Sequence, residues 1–152
     1  MVFPSLGSPS RRAKLSDTLT QLLTMAGVGR RARIRILGPG GFAALLWFCR
    51  HGYEQVDYVT AGSTQSDDSD LLLLPHACDA SELEAVLRHG PRPREGGMLI
   101  VQAAETHAAG EDDPVEAVLR RSGYRIEGCV RGRRREVCIA QRQVRPQIAK
   151  AA

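Results

Sequence analysis

Residues 33–42 read RIRILGPGGF, a short alternating strand that runs directly into a cluster of glycines. Residues 42–51, FAALLWFCRH, follow as a strongly apolar helix. A strand that enters a helix through glycines is the layout of a nucleotide-type loop. Glycine lets the backbone approach a ligand closely, and the helix N terminus offers unpaired N–H groups. The same turn also serves tight packing with no ligand, so both interpretations stay open here.

The segments on either side of this turn alternate between helical and strand-like patterns. A helical pattern covers 11–26 before the turn, and VDYV at 56–59 predicts a second strand after it. Two continuous apolar runs, 70–75 and 98–103, predict strands buried on both faces, as in the middle of a parallel sheet. The other predicted elements are helices over 82–89 and 114–122 and a hairpin of strands 124–130 and 136–141. This order predicts an α/β fold, a doubly wound and mostly parallel sheet of about six strands with a C-terminal antiparallel hairpin.

Length and composition predict one domain. The chain has 152 residues, of which 43% are hydrophobic and 25% are charged. We expect a flexible tail over 1–10, a single α/β domain over 11–142 and a basic tail over 143–152. No apolar run approaches the length of a bilayer span, and MVFPSLGSPSRR at the start is unlike a secretory signal. We therefore expect a cytoplasmic protein that does not contact membranes.

Charge is distributed unevenly along the chain. Residues 1–53 carry +7, residues 54–116 carry −11, and residues 117–152 carry +8, which sums to the net +4. Such asymmetry can mark binding of a polyanion, for which the candidate site is the arginine-rich hairpin turn formed by Arg131, Arg133, Arg134 and Arg135. In the simpler alternative, the basic ends lie against the acidic middle of one domain and partly cancel it.

The four cysteines do not predict a metal site. Cys49, Cys78, Cys129 and Cys138 stand in no CxxC or histidine-paired spacing, and each has apolar neighbours. We expect free thiols, with a Cys129–Cys138 bridge across the hairpin as the alternative.

Taken together, these segments resemble the class I S-adenosylmethionine-dependent methyltransferases. The similarity covers about residues 30–142 and lies in IRILGPGGF, GYEQVDYV, DLLLLP, GGMLIVQ and the closing VLRRSGYRIEG and REVCIAQR. The resemblance implies that the cofactor would be held by Gly38, Pro39, Gly40, Gly41 and Thr60. It also makes His76, just past the 70–75 strand, a candidate catalytic residue, because that strand end faces the cofactor's methyl group in the family. The alternative is a loop histidine with no chemical role.

The chain departs from the family pattern on the cofactor side. Ile36 stands where the first strand usually has an acidic residue, and Phe42 replaces the third glycine. Thr60 follows the second strand where the family has a carboxylate for the ribose hydroxyls, and a hydroxyl is the weaker partner. Only the nine residues 61–69 replace a helix, a strand and a further helix. One edge unit is therefore expected to be missing.

These departures favour a degenerate methyltransferase-like domain that is not catalytic and that binds or regulates a partner. S-adenosylmethionine is possible as a cofactor, but we expect none, and the site would be closed if Phe42 or Trp47 filled it. The partner would be a protein or a nucleic acid, and the exposed sheet edge predicts either a covering segment or a homo-oligomer. The alternatives are a small active S-adenosylmethionine-dependent methyltransferase and a basic nucleic-acid-binding module.

Overall fold

The computed structural model describes residues 15–59, 67–103, 113–131 and 136–145. Its helices are α1 (Leu15–Ala26), α2 (Gly41–Arg50), α3 (Ala80–His89) and α4 (Pro114–Arg121). Its strands are β1 (Arg33–Leu37), β2 (Gln55–Val59), β3 (Ser69–Cys78), β4 (Pro93–Ala103), β5 (Tyr124–Arg131) and β6 (Glu136–Arg142).

The six strands form one sheet in the order β2-β1-β3-β4-β6-β5. The pairs β1–β2, β1–β3 and β3–β4 are parallel, whereas β4–β6 and β5–β6 are antiparallel. This arrangement confirms the predicted α/β class and the closing hairpin. Among the described residues, β2 pairs only with β1 and is an edge of the sheet. Residues 60–66, which lead from β2 towards β3, lie outside the described part of the chain.

Helices cover both faces of the sheet, as the continuous apolar runs predict. Leu72 and Leu74 of β3 face one layer, together with buried residues of α3 and α4 such as Leu83 and Leu119. The alternate residues of β3 face the opposite layer, where buried residues of α1 and α2 such as Phe48 complete a second core. Burial of β3 on both faces is what a parallel central strand requires.

Two strands extend at least three residues beyond one of their predicted ends. β3 continues past Pro75 to Cys78, and His76 therefore lies within the strand rather than just past it. The pairing with β4 shifts register between Leu74 and Ala77, so Pro75 lies at an irregularity where its missing N–H is tolerated. β4 begins at Pro93, inside a stretch that reads as a loop.

The acidic middle of the chain contacts both basic ends. Asp68 pairs with Arg33 at 2.7 Å and with Arg35 at 3.0 Å. Asp67 lies 3.6 Å from Arg142, which belongs to the basic C-terminal segment. The simpler interpretation of the charge pattern is therefore observed for these residues.

The predicted tails stay predictions, because residues 1–14 and 146–152 lie outside the described residues. Within the described ranges, no helix has both the length and the apolar character needed to cross a bilayer.

Candidate functional site

The glycine turn joins the carboxyl end of β1 to the N terminus of α2, as predicted. Gly38 has a φ of 99° and Gly40, the N-cap residue of α2, has a φ of 80°. Residues with a side chain rarely adopt these conformations, so the backbone itself calls for glycine at both positions. The Gly41 N–H donates to the Gly38 carbonyl at 3.2 Å and closes the turn.

The imidazole of His76 lies directly against Gly38. A Cβ added to Gly38 would lie 2.5 Å from Cε1 and 2.6 Å from Nδ1 of His76, which is far too close for real atoms. Nδ1 is buried and has no hydrogen-bond partner among the described residues. The structure therefore brings the predicted candidate His76 to the glycine turn, but its ring packs on the backbone there.

A second ring covers the next part of the turn. Tyr58 of β2 lies so close to Gly41 that any Cβ on Gly41 would overlap the Tyr58 ring. The Tyr58 hydroxyl donates to the Gly38 carbonyl at 3.2 Å, and 43% of the residue is exposed. Sequence reasoning missed Tyr58, although its position beside the end of the second strand, next to the place of the family's carboxylate, was the available signal.

His76 also belongs to a cluster that the sequence analysis missed. Its Nε2 lies 3.3 Å from Sγ of Cys78 and 3.8 Å from a carboxylate oxygen of Glu82. Burial, and after it the nearby carboxylates of Glu82 and Asp79, together raise the pKa of the Cys78 thiol to about 11. Cys78 therefore lies beside a histidine, a contact that the sequence analysis does not anticipate. The signal was the spacing of His76 and Cys78, because residues two apart on a strand share a face.

An apolar cavity of about 300 Å³ lies on the face of the sheet that α1 and α2 cover, between these helices and the strands. Gly40, Pro75 and Gln102 line the end nearest the turn, and Trp47 lines it from α2. Phe42 does not fill the space beside the glycines, because 66% of it is exposed.

The remaining predicted site residues fall into two groups. Pro39 lies exposed in the turn, between the two glycines with positive φ. Thr60 and Arg133–Arg135 lie outside the described residues, and Arg131 is described only as the last residue of β5. The predicted ribose contact and the polyanion site therefore stay predictions.

Solved structures similar to this chain share its sheet. The ribosomal protein L11 methylase from Lactobacillus delbrueckii subsp. bulgaricus aligns with a TM-score of 0.61 and 14% identity, over 85% of this chain and 79% of that one. A SAM-dependent methyltransferase from Aquifex aeolicus aligns with a TM-score of 0.56 and 11% identity, over 81% of this chain and 88% of that one. The fold is that of the class I methyltransferases.

At these identities the likeness establishes the fold alone. The cyclase SpnF also aligns, with a TM-score of 0.54 and 15% identity over 85% of this chain and 81% of that one, so similar structures carry the names of different reactions. No family model matches the sequence, and no curated protein matches it either. The strand order corresponds to the family plan without its outer edge strand, within the described residues.

The residues at the turn do not fit the family's cofactor as they stand. The methyltransferase-like fold implies that S-adenosylmethionine would lie along the glycine turn. There the backbone N–H groups could donate hydrogen bonds to it, and the absence of glycine side chains would leave room for it. In this chain the imidazole of His76 and the phenol of Tyr58 lie on Gly38 and Gly41. Tyr58 and Val59, the last described residues of β2, offer no carboxylate for a ribose.

Proposed function

We propose that this chain is a methyltransferase-like domain that does not transfer methyl groups and that acts by binding a partner. The observation that carries the proposal is the pair of rings on the glycine turn. His76 lies on Gly38 and Tyr58 on Gly41, and the Tyr58 hydroxyl is bonded to the Gly38 carbonyl. A cofactor would have to displace both rings and break that hydrogen bond before it could reach the backbone.

The shortened sheet supports the same proposal. In the family, the edge beyond the second strand builds the adenine side of the cofactor site. Here β2 is itself an edge among the described residues, and Val59 at its end packs against the core of the α3–α4 face. Without a carboxylate, the ribose would lose charge-assisted hydrogen bonds of about 1.5–3 kcal/mol.

Calorimetric titration with S-adenosylmethionine tests this proposal. We expect no saturable heat from the wild-type chain at millimolar ligand, whereas an active class I methyltransferase titrated in parallel verifies the ligand. Binding with a micromolar Kd would overturn the proposal.

A small active methyltransferase is the second candidate, and one observation favours it. The 300 Å³ cavity opens beside Gly40 and Pro75, next to the turn, and it provides apolar space for a methyl acceptor. Its test is the same titration followed by an assay for S-adenosylhomocysteine release.

If this domain acts by binding, we expect its partner to contact a charged part of its surface. The arginine-rich turn at 131–135 makes a nucleic acid one candidate partner, because guanidinium groups pair well with phosphates. A mobility shift that weakens steeply with salt and is lost when Arg133, Arg134 and Arg135 become serine would support it. No shift at low salt would leave a protein partner as the proposal.

A further inference from the structure

Three side chains with metal-binding atoms converge where β3 meets α3. His76 and Cys78 lie near the end of β3, two residues apart, and Glu82 lies in the first turn of α3. Asp79 fixes the start of this helix, since its carboxylate accepts a hydrogen bond from the Glu82 N–H at 2.8 Å. The cap holds the Glu82 backbone near the strand end, and the Glu82 side chain reaches towards His76.

The two measured distances from the His76 nitrogen to the other ligand atoms are close to those of tetrahedral zinc. Nε2 of His76 lies 3.3 Å from Sγ of Cys78 and 3.8 Å from Oε2 of Glu82. Zinc bonds of about 2.3 Å to sulfur and 2.0–2.1 Å to nitrogen or oxygen at tetrahedral angles separate such ligands by about 3.3–3.6 Å. All three atoms lie within 4.8 Å of one another, so small side-chain movements suffice to close the site.

The orientation of the imidazole also suits a ligand. Nδ1 is buried against Gly38, which leaves Nε2 as the nitrogen that faces the sulfur and the carboxylate. Cys78 is fully buried, while the Glu82 side chain is 55% exposed and borders solvent. An ion would therefore meet a thiolate and an imidazole on the inside and a carboxylate on the outside.

We propose that His76 Nε2, Cys78 Sγ and Glu82 Oε2 bind one zinc ion, with the fourth coordination position open to solvent. Sulfur, imidazole and carboxylate together are a ligand set suited to zinc, whereas magnesium and calcium prefer oxygen ligands alone. Binding transfers the thiol proton of Cys78 to solvent, because the thiolate is the ligand. This gives the histidine a role that does not depend on S-adenosylmethionine.

A second cysteine cluster, on the hairpin, is less suited to zinc. Sγ of Cys129 and Sγ of Cys138 are 2.7 Å apart, whereas two thiolates on one tetrahedral zinc stay about 3.8 Å apart. This cluster supplies a control for the first, because it holds two of the chain's four cysteines.

Cobalt(II) titration of the full-length, reduced and metal-free chain tests the proposal. Co²⁺ is the probe, because its thiolate charge-transfer band in the near ultraviolet reports sulfur ligation, and Zn²⁺ should then displace it. We expect one Co²⁺ per chain and a band that is abolished in Cys78→Ser and retained in Cys49→Ser and Cys129→Ser. Glu82→Gln, a change at an exposed side chain, should keep the band and weaken binding by at least about 10-fold, since even the loss of a group that only supports a ligand has an effect of that size.

Three outcomes for the cobalt band would overturn the proposal. They are the absence of a thiolate band in the wild type, a band that persists in Cys78→Ser, and a band that Cys129→Ser alone removes. Glu82→Gln keeps the test valid if Cys78→Ser fails to fold, and unchanged cobalt affinity in Glu82→Gln would also contradict the proposed ligand set. Since no step uses S-adenosylmethionine, this proposal and the proposed function can fail independently.

Discussion

At the scale of single residues, the glycine turn illustrates how one feature serves two interpretations. Gly38 and Gly40 have the positive φ values that a ligand-binding glycine turn uses, yet the chain's own rings fill the space beside Gly38 and Gly41. The sequence predicts the first property, because positive φ and close approach both call for glycine. It does not predict the second, because the contacts of His76 with Gly38 and of Tyr58 with Gly41 join residues far apart in the chain.

The first prediction concerns Gly38→Ala. Gly38 and Gly123 have similar φ values, 99° and 89°, but only the Cβ at position 38 would meet a neighbour within 4 Å. We expect Gly38→Ala to lower the free energy of unfolding by about 2–4 kcal/mol and the control Gly123→Ala by about 1–2 kcal/mol, in urea denaturation.

A double-mutant cycle sharpens this prediction. In a His76→Ala background the steric part should vanish, and the cost of Gly38→Ala should fall by at least about 1 kcal/mol. Equal costs in both backgrounds would mean that His76 does not pack on Gly38 in solution.

The second prediction concerns Asp70, at the opposite end of the sheet. Its carboxylate accepts hydrogen bonds from the Arg33 backbone N–H at 2.8 Å and from Arg94 Nε at 2.6 Å. These contacts, with the Arg33 N–H first, lower the pKa of Asp70. Asp70→Asn should therefore cost about 1 kcal/mol at neutral pH, a value reduced for solvent screening because the carboxylate is 36% exposed.

The stability that the Asp70 carboxylate contributes should decrease as the pH falls. Since the folded pKa lies below the unfolded one, the stabilisation is complete well above pH about 4 and is lost as the pH falls through the folded pKa. Urea unfolding of the wild type and Asp70→Asn should converge in acid, with the exposed Asp57→Asn as control. A difference that grows on acidification would contradict this assignment.

At the scale of elements, prediction succeeded where local pattern and burial agree. The run of leucines in β3 and the Pro114 start of α4 are local signals; the leucines lie in a strand as expected, although β3 extends further, and α4 begins at Pro114. β4 begins earlier than expected because Pro93 pairs with Ser69 across a register shift, and Pro and Gly signals along one strand carry no information about its partner. The sequence analysis missed the His76–Cys78–Glu82 cluster for a related reason. The position of Glu82 beside β3 depends on the residue at which α3 begins.

The hairpin carries the third prediction. Cys129 and Cys138 are directly paired across β5 and β6, with their sulfur atoms 2.7 Å apart as free thiols. The hydrogen bond with Cys129 and then burial raise the pKa of Cys138. The thiolate is the reactive form, so we expect a thiol oxidant to couple the pair within one chain, faster as the pH rises.

Intact-mass measurement checks the coupling, because disulfide formation lowers the mass of the chain by two hydrogens, and peptide analysis identifies the cysteines that are joined. Cys129→Ser should prevent it and Cys49→Ser should not. Coupling that requires Cys49, or that joins two chains, would contradict the pairing seen in the hairpin.

At the scale of the whole molecule, the sheet has a shortened methyltransferase-like plan, and some of the oppositely charged segments meet in ion pairs. Among the described residues, β2 is the sheet edge on the side where the family has a further strand. Asp68 pairs with Arg33 and Arg35 of the first basic segment, and Asp67 lies 3.6 Å from Arg142 of the second, so these charges of opposite sign offset one another within the domain. The predicted self-association through the β2 edge stays a prediction, and light scattering of the full chain would show a dimer if it holds.

The central claim is that the chain's own rings occupy the glycine turn and prevent cofactor binding. Amide ¹H–¹⁵N spectra of the wild-type chain with increasing S-adenosylmethionine test it most directly, because Gly38, Gly40 and Gly41 report on the turn itself. We predict that these three signals stay in place at millimolar ligand. Saturable shifts at these glycines with a micromolar midpoint would contradict the claim.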